Sequence, residues 1–263
     1  MPSKRPMAKL ASKQSRAGRR SGHCRIGTSG FHYKHWKGIF YPENLSSKQW
    51  FAYYASQFDT VELNNTFYRL PPETYFDAWR AGAPDGFCFA LKFSRYGSHV
   101  MKLKNAEDTI RRFIERAERL QEHLAPILVQ LPPKWDVNVE RLRDFLATAP
   151  RRHRWTVEFR DPRWLISEVY EVLRRYRAAL CIHDMIPDHP REITADWVYM
   201  RFHGGRYDGN YDDAILDVYA REIEGYLKSG LDAYVYFNND LHGHALKNAA
   251  TLKALLRKET ELA

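Results

Sequence analysis

The sequence has 263 residues, of which 44% are hydrophobic and 28% are charged, a composition typical of a globular protein and not of an intrinsically disordered chain. It contains no run of 18 or more apolar residues, so we expect no transmembrane helix and no membrane association. The formal net charge is +9, but residues 1–24 hold seven basic and no acidic residues. The rest of the chain is therefore nearly neutral and poorly suited to broad contact with nucleic-acid phosphates.

The basic N-terminal segment, residues 1–24, is predicted to be a disordered tail, and residues 25–263 are predicted to form one domain. Only this tail offers nucleic acid a basic surface, and a solvated extension without a partner is the alternative. The three cysteines, Cys24, Cys88 and Cys181, are far apart and form no CxxC pair. This spacing disfavours a disulfide framework or a zinc site and favours a reducing, cytoplasmic compartment. The sequence leaves the oligomeric state open.

Eight short β-rich segments alternate with helical segments along the domain. The predicted strands are Arg25–Thr28, Thr60–Leu63, Phe87–Lys92, Ile127–Gln130, Trp155–Phe159, Ala179–His183, Val198–His203 and Ala233–Asn238. The predicted helices are Lys48–Gln57, Glu73–Ala81, Ala106–His123, Val139–Thr148, Glu168–Tyr176, Asp213–Lys228 and Ala245–Lys258. This alternation indicates a parallel sheet covered by helices, and eight repeats favour a single TIM-type (β/α)8 barrel, an α/β fold. An open doubly wound sheet is the alternative, but no GxGxxG motif follows the first strand.

Two local features concern the connections between these elements. The connection between the sixth and seventh strands contains Pro187 and Pro190, which argue against a regular helix there. Asn105 and Ser167 stand immediately before predicted helices, where their side chains would serve as N-caps. We therefore expect one irregular connection in the barrel.

Polar and apolar side chains alternate within the predicted strands, and the charged ones lie late in each strand. In the fifth strand, Thr156 and Glu158 alternate with Trp155, Val157 and Phe159. Since alternate strand residues face opposite sides, one set packs against the helices and the other faces the barrel interior. The inward set ends in charged groups at the carboxyl ends of the strands, the face at which TIM barrels carry their active sites.

These inward side chains are predicted to form a site for a small anionic ligand at the barrel mouth. The candidate catalytic residues are Glu62, Glu158 and Lys92, because nearby cations favour ionised carboxylates and nearby arginines favour a neutral lysine amine. Arg160 and Arg201 are expected to clamp the anion, since the five charges sum to +1. The other candidate ligand-binding residues are Ser29, Tyr33, Trp36, Asn64, Gln130, His183, His203, Tyr236 and Asn238.

Other loops at the same face also suit a ligand. His203–Gly204–Gly205–Arg206 lets backbone N–H groups approach an anion, and His242–Gly243–His244 begins the last helix, whose N-terminus favours negative charge. Arg25 would raise the charge of the mouth to +2 if it also faced inward. The first βα loop, residues 29–41, is rich in aromatic side chains. Those rings either stack on a sugar or base or pack over the barrel top, and the sequence supports both interpretations equally.

Several segments resemble a known family. They are IGTSGFHYKHWKGIFYPENL, YYASQFDTVELNNTFYRLPPETYFDAW, FCFALKFSRYGSH, PILVQLPPKW, TVEFRDPRW, YMRFHG and YVYFNND. Together they resemble the domain of unknown function 72 (YecE-like) family over nearly all of residues 26–257. The resemblance implies a TIM-barrel fold and supplies no reaction. The matching residues are Tyr33, Trp36, Tyr41, Glu62, Asn64, Phe67, Tyr68, Lys92, Gln130, Glu158, Arg160, Trp164, Arg201 and Asn238.

Four interpretations of the charged mouth remain. The prediction is an enzyme that performs acid/base or hydrolytic chemistry, without a metal or cofactor, on a small phosphorylated or carboxylated, sugar-like molecule. A metal-dependent phosphodiesterase- or isomerase-like barrel is one alternative, with His183, Asp184 and His203 adding ligands to the two glutamates. A non-catalytic module for nucleic acid or a small ligand is another. The last is internal ion pairing that only fills the barrel.

Overall fold

The structure, a computed structural model, describes residues 21–207 and 209–262. Its strands are β1 Cys24–Ser29, β2 Thr60–Leu63, β3 Cys88–Lys92, β4 Leu124–Gln130, β5 Trp155–Glu158, β6 Ala179–His183, β7 Trp197–Phe202 and β8 Asp232–Phe237. Each strand pairs in parallel with the next, and β8 pairs with β1, which closes the barrel. The fold is therefore a single (β/α)8 barrel of the TIM type, as predicted.

Helices surround the barrel. They are α1 Trp50–Gln57, α2 Asn65–Tyr68, α3 Glu73–Gly82, α4 Ala106–Ala117, α5 Val139–Thr148, α6 Ser167–Tyr176, α7 Gly204–Tyr207, α8 Asp213–Lys228 and α9 His244–Leu262. The short α2 and α7, together with a π-helix at Tyr96–Val100, are additions at the carboxyl face of the sheet that the sequence did not predict. Within the described residues, every helix is too short or too polar to cross a bilayer.

The N-terminal boundary of the barrel lies earlier than expected. Residues 1–20 of the predicted tail lie outside the described residues, but residues 21–24 do not. The Gly22 N–H donates to the Leu227 carbonyl at 2.9 Å, and the His23 N–H donates to Asp232 Oδ1 at 3.0 Å. Since β1 then begins at Cys24, these residues belong to the barrel.

The connection from β6 to β7 is irregular, as its prolines predict. Residues 184–196 form turns and bends, all of them described, and contain no helix. Thr194 fixes this segment to the sheet, because its hydroxyl donates to the Ala178 carbonyl at 2.7 Å and accepts the Leu180 N–H at 2.8 Å. These side-chain hydrogen bonds replace the packing that a helix would supply.

The two predicted N-caps are wrong. Asn105 has a left-handed backbone, with φ of 46°, and its side chain makes no capping hydrogen bond. A capping residue needs an extended backbone, so this conformation turns the amide away from the helix start. Ser167 is the first residue of α6 rather than the residue before it. Capping is instead seen at Asn138 before α5 and at Asp212 before α8.

The strands separate two packed regions. Their outward apolar residues join the helices in the main core, whereas small and aromatic inward residues fill the barrel. The inward cluster contains Cys88, Ala90, Ala125, Leu128, Cys181, Tyr199 and Tyr236. The alternation of polar and apolar residues in the predicted strands therefore matches the division between the main core, outside the sheet, and the barrel interior.

Tyr54→Phe tests how α1 is held to the sheet. The buried Tyr54 hydroxyl accepts from the Thr28 N–H and hydroxyl, both at 2.9 Å, and donates to the Thr60 carbonyl at 3.0 Å. Removing it leaves buried groups of two strands unpaired, so we expect a loss of about 1–3 kcal/mol in the free energy of unfolding by urea. Tyr53→Phe, on the same helix but with no hydroxyl hydrogen bond within the described chain, should change stability little. Equal effects of the two variants would contradict this account.

Candidate functional site

The carboxyl ends of the strands bring charged side chains together inside the barrel. We call this group the mouth cluster; its members are Ser29 on β1, Glu62 on β2, Lys92 on β3, Glu158 on β5, Arg160 just after β5, and Arg201 on β7. They converge because their apolar neighbours in each strand face the helices, which turns the polar set inward. Four of the six, including both glutamates, are fully or almost fully buried.

Arg201 is the centre of the mouth cluster. Only 1% of its side chain is exposed. One Nη atom donates to Glu62 Oε1 at 2.7 Å, and the other donates to Glu158 Oε2 at 2.6 Å. Its Nε atom is buried without a hydrogen-bond partner among the described residues. Both arms of the guanidinium are thus committed to carboxylates, so Arg201 is not the free anion clamp that the sequence predicted.

Further donors hold the two carboxylates. Glu62 accepts hydrogen bonds from the Ser29 hydroxyl at 2.5 Å and from the Tyr199 hydroxyl at 2.6 Å. Burial opposes ionisation of Glu62, but Arg201 and these hydroxyls outweigh it and keep its pKa below the usual 4.5. The pKa of Glu158 is lowered further, because Arg160 and Arg201 together overcome the effect of burial. Both carboxylates are therefore fixed anions near neutral pH.

Lys92 differs from the two arginines. Its side chain is 9% exposed, and its Nζ atom lies 4.4 Å from the centre of the Phe67 ring. In the described part of the chain, no carboxylate oxygen lies within 4.0 Å of the Lys92 Nζ atom, so this ammonium forms no ion pair there. Burial first, and then repulsion from Arg201, lowers the pKa of Lys92 to about 8. The amine is thus a cation that loses its proton just above neutral pH.

A second polar group adjoins the cluster at β6 and β7. Asp184 accepts the Tyr211 hydroxyl, the Gly204 N–H, and both the backbone N–H and Nδ1 of His203. His203 Nε2 lies 3.1 Å from an Nη atom of Arg160. Because arginine can only donate and the carboxylate can only accept, His203 is the neutral tautomer with its proton on Nδ1.

This group changes the charge of the mouth. Burial lowers the pKa of His203 below its usual 6.5, so the ring stays neutral. Burial opposes ionisation of Asp184, but its hydrogen bonds to His203 and Tyr211 lower its pKa to about 2. Counting Asp184, the mouth is neutral rather than +1. Arg25 does not restore the excess, because it lies at the opposite end of the barrel and donates to the Gly86 carbonyl at 2.6 Å.

Three predicted ligand-binding residues have no hydrogen-bonding group turned to the mouth. His183 Nε2 donates to the Phe159 carbonyl at 2.8 Å, and its Nδ1 accepts the Met185 N–H at 3.2 Å. Buried Trp36 donates to the Asp240 carbonyl at 2.9 Å. Tyr236 lies deep in the barrel, with its hydroxyl 2.8 Å from Thr60 Oγ1. These side chains build the walls and floor of the site, so we leave them out of the proposed ligand contacts.

Other predicted residues do reach the mouth. Asn64 donates to Ser29 Oγ at 2.6 Å, and Tyr33 donates to the Ser29 carbonyl at 2.6 Å. Gln130 pairs in register with Glu158, and Asn238 follows the end of β8; both are partly exposed. Asn64 and Tyr33 thus contact the mouth cluster, whereas Gln130 and Asn238 lie near it by their positions at the strand ends.

Sequence reasoning missed some contributors. Tyr199 shares the inward parity of Arg201, so its position carried a signal. Asp184, which directly follows β6, was considered only as a metal ligand and not as the acceptor that holds His203. His99 packs against Phe67 with ring centres 5.0 Å apart, and burial together with Lys92 lowers its pKa to about 4. It lies in the unpredicted π-helix, so the strand pattern gave no sign of it.

Similarity to known proteins extends over the whole barrel. A family model described as "Protein of unknown function DUF72" matches residues 25–263. The chain belongs to the DUF72 family. The UPF0759 protein YunF of Bacillus subtilis (strain 168) is 24% identical to this DUF72 chain over 255 residues, covering 82% of this chain and 89% of that protein.

Solved structures agree with this assignment. A DUF72 family protein from Thermotoga maritima MSB8 is 30% identical, with a TM-score of 0.82, over 89% of this chain and 99% of that one. A DUF72 family protein from Enterococcus faecalis V583 shares the fold at 20% identity and a TM-score of 0.74, over 89% and 95% of the two chains. The family and the barrel predicted from sequence are both confirmed.

Arg201→Met tests the central ion pairs of the DUF72 barrel. It leaves Glu62 and Glu158 buried without their shared cation, so we expect a loss of about 3–5 kcal/mol in unfolding free energy at pH 7. Arg221→Met, which removes an exposed pair with Asp217 on α8, should cost less than about 0.5 kcal/mol.

The loss of stability in Arg201→Met should also depend on pH. In the native protein the folded pKa values of both glutamates lie below 4.5, so their contribution to stability is complete above about pH 4.5 and is lost as pH falls further. Without Arg201 the carboxylates protonate more readily, so the gap between variant and native protein should narrow toward pH 4.5. A gap that stays constant with pH, measured by urea unfolding, would contradict the ion-pair account.

Proposed function

We propose that this DUF72 protein is an enzyme that performs acid/base chemistry on a small phosphorylated or carboxylated ligand at the carboxyl-terminal mouth of its barrel. Lys92 carries the proposal. It is the member of the mouth cluster whose charge is not balanced by a carboxylate within ion-pair distance in the described chain. A partly buried cation of this kind attracts an anion more strongly than an exposed lysine does, because water screens it less.

Lys92 is also suited to proton transfer. A pKa of about 8 leaves both the ammonium and the amine populated near neutral pH, which is the condition for an efficient general acid or base. The neutral amine is in addition a nucleophile for carbonyl groups. Arg160, whose side chain is 10% exposed, lies close enough to Lys92 to affect its pKa and would add a second cationic contact for the ligand.

In this proposal Glu62 and Glu158 position other groups and do not themselves act as an acid or a base. Their oxygens accept hydrogen bonds from arginine and hydroxyl donors, and their pKa values are lowered. A glycosidase needs one carboxylic acid with a raised pKa, so these shifts disfavour that chemistry.

The alternative functions have less support. Within residues 21–207 and 209–262, no group of three or more histidine, cysteine, aspartate or glutamate side chains is arranged to hold a metal ion. Nucleic-acid binding was predicted only through the tail, of which residues 1–20 lie outside the described chain. The cysteines Cys24, Cys88 and Cys181 are free thiols, which fits the reducing, cytoplasmic compartment that we propose.

Calorimetric titration with malonate and inorganic phosphate tests the anion site. We expect Lys92→Met to abolish binding, whereas Lys48→Met, which removes an exposed lysine before α1, should leave it unchanged. Because only the ammonium attracts an anion, binding should weaken as pH rises through about 8. Between pH 7.5 and 9.5 the loss should be roughly 25-fold, the fall in the protonated fraction. Native-like binding by Lys92→Met, or binding independent of pH, would contradict the proposal.

Trapping with glyoxylate and cyanoborohydride tests the reactivity of the amine. The neutral Lys92 amine attacks the aldehyde carbon and water leaves, and hydride from cyanoborohydride then reduces the imine to a stable secondary amine. At pH 7 we expect peptide mass spectrometry to find Lys92 labelled at least about tenfold faster than Lys48, because a pKa of about 8 for Lys92, in place of the ordinary 10.5, supplies more free amine. Malonate should protect Lys92 alone. Equal labelling of the two lysines would argue against an activated amine.

A further inference from the structure

An aromatic cleft of about 390 Å³ lies beside the mouth cluster, between the first βα loop and the segment after β2. Its aromatic lining consists of Phe31, His32, Tyr33, Tyr68, Tyr75 and Trp79. Tyr68 and Tyr75 are 77% and 55% exposed, so large ring surfaces face water here. Exposed aromatic side chains gathered around a concave surface mark a binding site more often than a structural one.

The walls of the cleft contact the mouth cluster on two sides. Asn64 lines the cleft and also donates to Ser29 Oγ, the hydroxyl that binds Glu62. On the other side, the Tyr68 ring packs edge to face against Phe67 with centres 5.1 Å apart, and Phe67 carries the Lys92 ammonium on its face. The Tyr68 ring and the Lys92 ammonium are thus separated by the Phe67 ring alone, a separation that a ligand of nucleotide size can span.

The chemistry of the lining identifies the ring that would fit. The cleft carries hydrogen-bonding groups as well as rings: the side chains of His32, Asn64 and Asn65, the hydroxyls of its three tyrosines and the indole N–H of Trp79. The Oδ1 atom of Asn64 is buried and accepts no hydrogen bond within the described residues. A sugar ring has hydroxyls around its edge and no flat π face to stack on the exposed Tyr68 and Tyr75 rings. A flat heteroaromatic ring instead stacks on aromatic faces and offers an N–H at its edge.

We infer that the cleft binds a planar heteroaromatic ring, whose edge N–H donates to Asn64, and that the same ligand carries the acidic group held at Lys92. This inference rests on the proposed function for the acidic end of the ligand. It narrows the substrate class from small anions in general to heteroaromatic acids and phosphates. The cleft volume lies within the usual range for small-ligand sites, about 300–1,000 Å³.

The test compares four probes that share a phosphate. AMP and UMP carry a heteroaromatic ring, ribose 5-phosphate carries the sugar without the ring, and inorganic phosphate carries neither. By calorimetry at pH 7.5, AMP or UMP should bind at least about tenfold more tightly than ribose 5-phosphate, because stacking on aromatic side chains favours the base. Tyr68→Ala combined with Tyr75→Ala should remove this difference and leave ribose 5-phosphate binding unchanged.

Tyr68 and Tyr75 are exposed, so the double variant should fold normally. Tyr96→Ala is the matched control, because Tyr96 is 56% exposed and lies outside the cleft. If AMP and UMP bind no more tightly than ribose 5-phosphate, or if the double variant binds them like the native protein, the ring inference is overturned. Equal weakening of ribose 5-phosphate by the double variant would also overturn it and make a sugar the occupant.

Lys92→Met separates the two proposals. Loss of phosphate binding in this variant, together with no preference for AMP or UMP in the native protein, overturns the ring inference but supports the proposed function. Binding of AMP that requires the cleft tyrosines but survives Lys92→Met supports the ring inference and overturns the anion site. Absence of binding for all four probes to the native protein overturns both.

Discussion

Two carboxylates inside the barrel share one guanidinium, which together with Arg160 and two hydroxyls keeps them ionised. Arg201 donates to Glu62 with one arm and to Glu158 with the other, and all three side chains are buried. Removing such ions from water costs several kcal/mol each unless the pairing is close and complete. The three residues come from β2, β5 and β7, so the ion pairs form only when the barrel has closed. Barrel closure and the charge arrangement of the mouth therefore depend on each other.

The same pairing decides which cation remains for a ligand. Arg201 is committed to the carboxylates, Arg160 contacts Glu158 and His203, and Asp184 balances the remaining excess of positive charge. In the proposed function, an anion would therefore be attracted by the local position of Lys92 and not by the net charge of the mouth. The aromatic cleft begins one ring away from this amine, at Tyr68. A charged end and a flat end of one ligand would thus meet different parts of the same face.

Strand alternation predicted most of the fold and the members of the mouth cluster. Glu158 and Arg201 were found because a period of two is strict in a strand and one face of each strand is apolar. The same rule cannot tell the two ends of the barrel apart, which is why Arg25 was a candidate although it lies at the opposite end. Nor can parity show whether a polar atom already has a partner. His183 faces the interior, yet its ring is bonded to backbone groups, and this depends on loop geometry that the sequence pattern does not contain.

An anion site at the barrel mouth requires that Lys92 be a cation, that its pKa be lowered, and that an anion can reach it. Nitrogen NMR of the lysine side chains, with the Lys92 signal assigned by its loss in Lys92→Met, measures this directly. We predict that the Lys92 ammonium titrates near pH 8 in the free protein and at a higher pH with malonate, since a bound anion favours the charged form. Titration near the ordinary 10.5, unchanged by malonate, would contradict the account.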